Sequence, residues 1–295
     1  MSDLGALLTA IVTPFADTPG LSGRDQAPVD EAAFVRLHKH VIELGSDGVV
    51  ACGTTGEAST LSDVEHLRVI ELAVQEKPAG TTVVAGVGSN VTAHACELTE
   101  KATELGVDAV LSVTPYYNRP NRRGIVAHYT EVAKATDKPI ILYNIPFRTG
   151  TDMPNDLLAE LAQIDGIVAV KQSNDANIAP IDGLDLYAGN DDTILRTLEA
   201  GGIGAISVAS HLVGHDIKRM LDHPEERGEV HARLAPLFAA LGVTTNPSPI
   251  KAALSMQGHL SDVFRLPIVP CDDHEAQVVR GALAALDLLE TGARA

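Results

Sequence analysis

Cysteine is scarce in this sequence. Its three residues among 295, Cys52, Cys96 and Cys271, lie far apart and in no Cys-x-x-Cys arrangement. Neither a disulfide framework nor a cysteine-held zinc ion is read from them, and such usage fits a reducing cytoplasm. Basic residues are few as well: 22 Lys and Arg stand against 39 Asp and Glu, a formal net charge of −17 at pH 7. A chain this acidic lacks the basic field that displaces counterions from phosphate, which speaks against nucleic-acid binding. Long apolar runs are missing too, and no uncharged stretch approaches the roughly 18 residues that a bilayer span needs. The segment from Leu4 to Val12 is apolar enough to resemble a signal-peptide core. Asp3 precedes it, however, and the first basic residue is Arg24, so no export signal is read and a soluble protein is expected. Several catalytic motifs are also absent. There is no Gly-x-Gly-x-x-Gly after the first strand, no Gly-x-Ser-x-Gly elbow, and no His-x-x-x-His pair with a Glu base among the eleven histidines. No cofactor and no metal are expected.

What is present is ordinary globular composition, 45% hydrophobic and 21% charged, enough to bury a large core. Short apolar, β-branched runs recur at Ala6–Val12, Gly48–Ala51, Thr82–Val87, Ala109–Val113, Pro139–Tyr143, Ile167–Val170, Leu184–Ala188 and Ile203–Val208. Amphipathic stretches separate them, among them Glu31–Leu44, Asp63–Glu76, Ala93–Leu105, Gly124–Ala135 and Asn155–Ile164, with Ser62 reading as an N-cap. Strands that alternate with helices and are apolar almost throughout indicate a parallel sheet covered on both faces. Eight such units favour an α/β fold of the (β/α)8 TIM-barrel type over an open doubly wound sheet. After Val208 the pattern is helical only, so residues 1–210 are expected to form the barrel and residues 211–295 a helical region packed on it.

In such a barrel the reactive groups sit at the C-terminal ends of the strands. The turn Gly53-Thr54-Thr55-Gly56-Glu57 follows strand two, and its backbone N–H groups suit either a bound carboxylate or simply a tight, Thr-capped connection. Strand five ends at Tyr143-Asn144-Ile145-Pro146, with Arg148 just beyond. A phenol there can move a proton and a guanidinium can clamp a carboxylate, although rim packing and a solvated Arg would give the same pattern. Lys171 directly follows the apolar run Ile167–Val170. Lys39, Lys101, Lys134 and Lys218 belong to amphipathic stretches, and Lys77 and Lys138 precede prolines. Enclosure disfavours an ammonium and frees the amine for Schiff-base chemistry; a lysine snorkelling to solvent is the alternative. His38 and His40 read as surface residues of a helix.

With these groups in this order on strands two, five and six, the chain resembles the dihydrodipicolinate synthase/N-acetylneuraminate lyase family. Val113-Thr114-Pro115-Tyr116-Tyr117-Asn118-Arg119-Pro120, Gly86-Val87-Gly88-Ser89-Asn90 and Gly204-Ala205-Ile206-Ser207-Val208 extend the likeness along nearly the whole chain. The resemblance implies a class I aldolase-type lyase in which Lys171 forms a Schiff base with pyruvate. Tyr143 would give and take the proton, Thr54 and Tyr117 would complete the relay, and Thr55 with the Ile206 main chain would hold the pyruvate carboxylate. Tyr117 would come from a neighbouring subunit, which implies a homodimer, commonly paired into a homotetramer. Thr55 stands where the sialic-acid lyases usually carry Ser, and Arg148 occupies the position used for the semialdehyde carboxylate. L-aspartate-4-semialdehyde is therefore the implied second substrate, on the diaminopimelate route to lysine. A sugar-acid lyase that keeps Lys171 and a non-catalytic keto-acid-binding barrel are the alternatives.

Some positions depart from the family pattern. Gln172-Ser173-Asn174 stands where many relatives continue Glu-Ala-Ser or Glu-Ala-Thr, and the Thr18–Pro28 segment is longer than usual, reading as a surface insertion. Lysine-inhibited relatives carry an acidic residue where this chain has His94, and often a His where it has Asp63, while Asn90, Tyr116 and His66 remain. A lysine effector brings a cation that His94 cannot neutralise, so weak or absent lysine feedback is expected.

Overall fold

Strand formation follows the β-branched runs closely. The structure, a computed structural model, describes residues 4–21 and 26–289. Its eight strands are β1 (Leu7–Ala10), β2 (Gly48–Ala51), β3 (Thr82–Gly86), β4 (Ala109–Val113), β5 (Ile140–Asn144), β6 (Ile167–Gln172), β7 (Asp185–Ala188) and β8 (Gly204–Ser207). They pair in parallel and in chain order, and β8 returns to β1 to close the barrel. Alternate residues of each strand face two different cores. Leu8, Val50, Val84, Leu111, Ile141, Ala169 and Ile206 fill the barrel interior. Val49, Val83, Val110, Leu142 and Val170 pack outward against the helices.

Those helices are α1 (Glu31–Glu43), α2 (Asp63–Gln75), α3 (Thr92–Glu104), α4 (Arg122–Lys134), the single turn α5 (Pro146–Thr149), α6 (Asn155–Leu161) and α7 (Ile194–Glu199). Next come α8 (Ser210–Asp222), which packs on β1 and α1, then α9 (Arg227–Leu241), α10 (Ser248–Met256) and α11 (Asp273–Ala285). Ser62 caps α2 in a reciprocal capping box: its hydroxyl accepts from the Glu65 N–H, and Glu65 accepts from the Ser62 N–H. A cap of this kind contributes about 1 kcal/mol and fixes where the chain leaves the β2 turn. No helix among the described residues is long and apolar enough to cross a membrane.

Two sequence expectations change. β5 runs on past Tyr143 through Asn144, and β6 past Val170 through Lys171 and Gln172; Asn144 and Gln172 pair in register, and the Asn144 amide donates to Gln172 Oε1 at 3.0 Å. Satisfying its side chains within the ladder lets the strand continue past the apolar segment. His38 is not a surface residue. It is fully buried on the stripe Phe34, Leu37, His38, Val41, whose i, i+3, i+4, i+7 spacing places it inward whatever its polarity, and burial draws its pKa down to about 4. His40 is half-buried, its ring 4.1 Å from that of His259. The Thr18–Pro28 segment is pinned at its base by the Ala16 N–H, which donates to Pro28 O at 2.8 Å, and by the Phe15–Val29 bridge. Its described residues 18–21 are exposed, and residues 22–25 lie outside the described residues.

Candidate active site

Lys171 owes its position to strand alternation. Ala169 faces the barrel interior and Val170 the helices, so Lys171 turns inward, where it is 5% exposed. Tyr143 is its register partner on β5. Tyr143 is itself buried, and the Lys171 Nζ stands 4.4 Å from the centre of its ring, well inside the range of an amine–aromatic contact. An enclosed primary amine and a phenol are thus adjacent at the C-terminal end of the barrel, a nucleophile beside a group able to exchange protons.

The turn after β2 is built under strain. Cys52 and Glu57, neither of them glycine, take left-handed φ of 55° and 53° and bracket residues 53–56 between them. Gly86 packs against the Cys52 carbonyl so closely that a Cβ there would lie 2.3 Å from its oxygen. Within the turn, the Gly56 N–H donates to Gly53 O and the Glu57 N–H to Thr54 O, both at 3.1 Å. Thr54 is exposed at its crest, and Thr55 is buried with its Oγ1 accepting from the Asn246 amide at 3.0 Å. Left-handed geometry at ordinary residues costs on the order of 1–3 kcal/mol each and concentrates at functional sites. Tyr117 and Arg119, at φ 70° and 48°, mark a second such turn after β4.

A cavity of about 520 Å³ opens by these turns, and its lining includes Thr54, Tyr143, Arg148 and Asn246 as well as Asp63, His66, His94 and Tyr116. Arg148 projects from α5 and is exposed, its Nη2 3.5 Å from Asn246 O, so most of its donors are free for an anion. Ile206 is buried on β8 beside Leu8 of β1. Thr54, Tyr143 and Arg148 line this cavity, Lys171 stands against the Tyr143 ring and Thr55 against Asn246 without lining it themselves, and neither Ile206 nor Tyr117, which is 89% exposed, lines the cavity of its own chain.

Sequence reasoning missed three groups. Asp191 is half-buried at the end of β8 and accepts from Ser207 Oγ at 2.6 Å and from the Ala209 N–H at 2.9 Å. Burial pushes its carboxyl up, with those hydrogen bonds and the Lys171 charge pulling it back. Asn246 joins the turn to the helical region, and Lys251 forms a fully buried ion pair with Glu57. Asn246 sits in the Gly/Pro-rich break from Gly242 to Pro249, the one signal that could have drawn attention to it.

Comparison with known proteins places this geometry. Residues 3–286 match the sequence model of the Dihydrodipicolinate synthetase family. The 4-hydroxy-tetrahydrodipicolinate synthase of a Synechococcus strain is 41% identical over 302 residues, covering 97% of this chain and 95% of that protein. A crystal structure of DHDPS from Cyanidioschyzon merolae with lysine bound has a TM-score of 0.90 and 40% identity over 97% of this chain and 99% of its own. The chloride-inhibited dihydrodipicolinate synthase from Acinetobacter baumannii, complexed with pyruvate, has a TM-score of 0.90 and 34% identity over 97% of this chain and all of its own.

Proposed function

Because the chain belongs to the dihydrodipicolinate synthetase family, we propose that it condenses pyruvate with L-aspartate-4-semialdehyde, the reaction of 4-hydroxy-tetrahydrodipicolinate synthases, in the cytoplasm. The observation that carries this reading is the enclosed Lys171 amine 4.4 Å from the ring of its register partner Tyr143.

Lys171 attacks the keto carbon of pyruvate, water leaves, and an iminium forms. The iminium draws electrons from the methyl group, whose proton is lost to give an enamine. The enamine carbon then bonds to the aldehyde carbon of the semialdehyde, and the aldehyde oxygen takes up a proton. The amino group of the acceptor displaces Lys171 from the imine carbon, closing the ring and restoring the free amine. Protons enter and leave through Tyr143, relayed by Thr54 and by Tyr117 of a neighbouring subunit. Thr55 and the Ile206 main chain hold the pyruvate carboxylate, while Arg148 takes that of the semialdehyde as a charge-assisted, bidentate partner.

The exposure of Tyr117 at 89% and of its neighbour Tyr116 at 39% supports a homodimer in which they are covered, with a homotetramer as the further assembly. Borohydride reduction in the presence of pyruvate, followed by peptide mass mapping, tests the chemistry: the adduct belongs on Lys171, and an adduct elsewhere or none refutes it. Consumption of the semialdehyde, set against cleavage of sugar acids, tests the acceptor.

A further inference from the structure

Lys251 is more deeply buried than Lys171, and the chemistry just described does not use it. It lies in α10 within the apolar run Pro249–Leu254, at 0% exposure. Its Nζ donates to Glu57 Oε1 at 2.7 Å, to Val263 O at 2.7 Å and to Thr13 O at 3.3 Å, which satisfies all three of its N–H groups. The rings of Phe15 and Phe264 flank it at 4.5 and 4.3 Å. Burial draws the Lys251 ammonium down and pushes the Glu57 carboxyl up, and the contact between them opposes both shifts.

A buried ion pair contributes little net stability, since apolar residues of similar size often serve as well. Its value here lies in what it holds. Glu57 is the left-handed last residue of the Gly53–Glu57 turn. One residue earlier, the Gly56 carbonyl accepts from Thr13 Oγ1 at 2.7 Å, and the Thr13 carbonyl in turn accepts from Lys251. Thr55 is held by the amide of Asn246, just ahead of α10. Consecutive residues of the turn are thus fixed, directly or through Thr13, by the helical region that follows the barrel.

We propose that Glu57 and Lys251 are positioning residues: through their contact α10 clamps the turn in its strained form, so that Thr54 and Thr55 present N–H and hydroxyl groups to the pyruvate carboxylate. This rests on the reading of that turn as the pyruvate site. Directional contacts resist sliding of the turn in a way that apolar packing alone would not.

The test compares wild type with Glu57→Gln, Lys251→Met and the double variant, measuring both KM values, kcat, borohydride trapping and melting temperature. Each single variant raises the pyruvate KM about tenfold, while the semialdehyde KM and kcat at saturating pyruvate stay within about threefold. The double variant leaves no unpaired charge, so its melting temperature recovers towards wild type, yet its pyruvate KM stays raised. A single variant that fails to fold does not stop the test, because the double variant carries the same prediction. A wild-type pyruvate KM in the double variant, or a fall in kcat with both KM values unchanged, overturns the proposal. Absence of a trapped adduct on Lys171 in the wild-type enzyme overturns the underlying reading and the proposal together, whereas a trapped adduct with unaltered KM values in the variants sinks the proposal alone.

Discussion

Tyr143 and Lys171 are direct partners across the β5–β6 ladder, and the lysine amine stands over the tyrosine ring rather than beside its hydroxyl. Ring and hydroxyl can therefore be separated experimentally. Tyr143→Phe keeps the surface against which Lys171 is packed and removes only the group that moves protons. Its kcat is expected to fall about 10²- to 10⁴-fold while pyruvate is still trapped on Lys171 by borohydride. Lys171→Ala is expected to lose both turnover and trapping yet keep the barrel, because the β5–β6 and β6–β7 pairing is made by backbone groups; an unchanged circular dichroism spectrum would check this. Wild-type turnover in Tyr143→Phe would remove the tyrosine from the mechanism.

The Arg148 side chain makes one long hydrogen bond, to Asn246 O at 3.5 Å, and its guanidinium stands 5.8 Å from the centre of the exposed Phe147 ring. Little structural stability depends on it, so Arg148→Ala should fold normally and form the pyruvate adduct at the wild-type rate. The semialdehyde KM is expected to rise about 10- to 100-fold, the loss of one charge-assisted contact of about 1.5–3 kcal/mol. An equal rise in the pyruvate KM would place the guanidinium on the wrong substrate.

How much of this was legible in the sequence depended on distance along the chain. The strands could be read because each is a local apolar run, and Lys171 because it interrupts one at its end. Lys251 could not, since its partner Glu57 is 194 residues away and nothing near either residue marks the other. Asp191 and Asn246 escaped for the same reason: each acts through contacts on a different βα loop. His38 is hidden for a local reason: its polarity points to the surface, whereas its spacing from Phe34, Leu37 and Val41 sets it on the inward stripe of α1.

Buried histidines give the protein an acid-sensitive fold. Burial draws His38, His128 and His211 from the ordinary 6.5 to about 4. The folded state binds their protons more weakly than the unfolded chain does. The stability that the neutral rings contribute is complete above pH 6.5 and is lost as pH falls from there towards 4, on the order of 2 kcal/mol for a fully buried ring by pH 5. Glu65 acts in a lower window. The Arg265 guanidinium holds its carboxyl down at about 2 against the usual 4.5, so its contribution is present above 4.5 and lost between there and 2. Melting temperature should therefore decline in two stages, and His38→Leu should lessen the first by about a third, since His128 and His211 still contribute. A melting temperature constant from pH 7 to pH 5 would contradict the assignment.

The cavity lining bears on feedback by lysine. The family resemblance implies an acidic residue where His94 stands, and a carboxylate is present close by: Asp63 Oδ1 lies 3.1 Å from His94 Nε2, and His94 Nδ1 lies 3.2 Å from Ser89 Oγ. Glu57, which also lines the cavity, is committed to Lys251. An incoming ammonium would therefore share Asp63 with His94, which already occupies one of the two carboxylate oxygens. Half-inhibition by L-lysine is thus expected only above about 1 mM, corresponding to about −4 kcal/mol of binding. Exchanging the two residues, Asp63→His with His94→Glu, returns the carboxylate to the α3 side and should lower that concentration about tenfold. Micromolar inhibition of the unmodified enzyme in a lysine titration would show that Asp63 serves the effector despite its contact with His94.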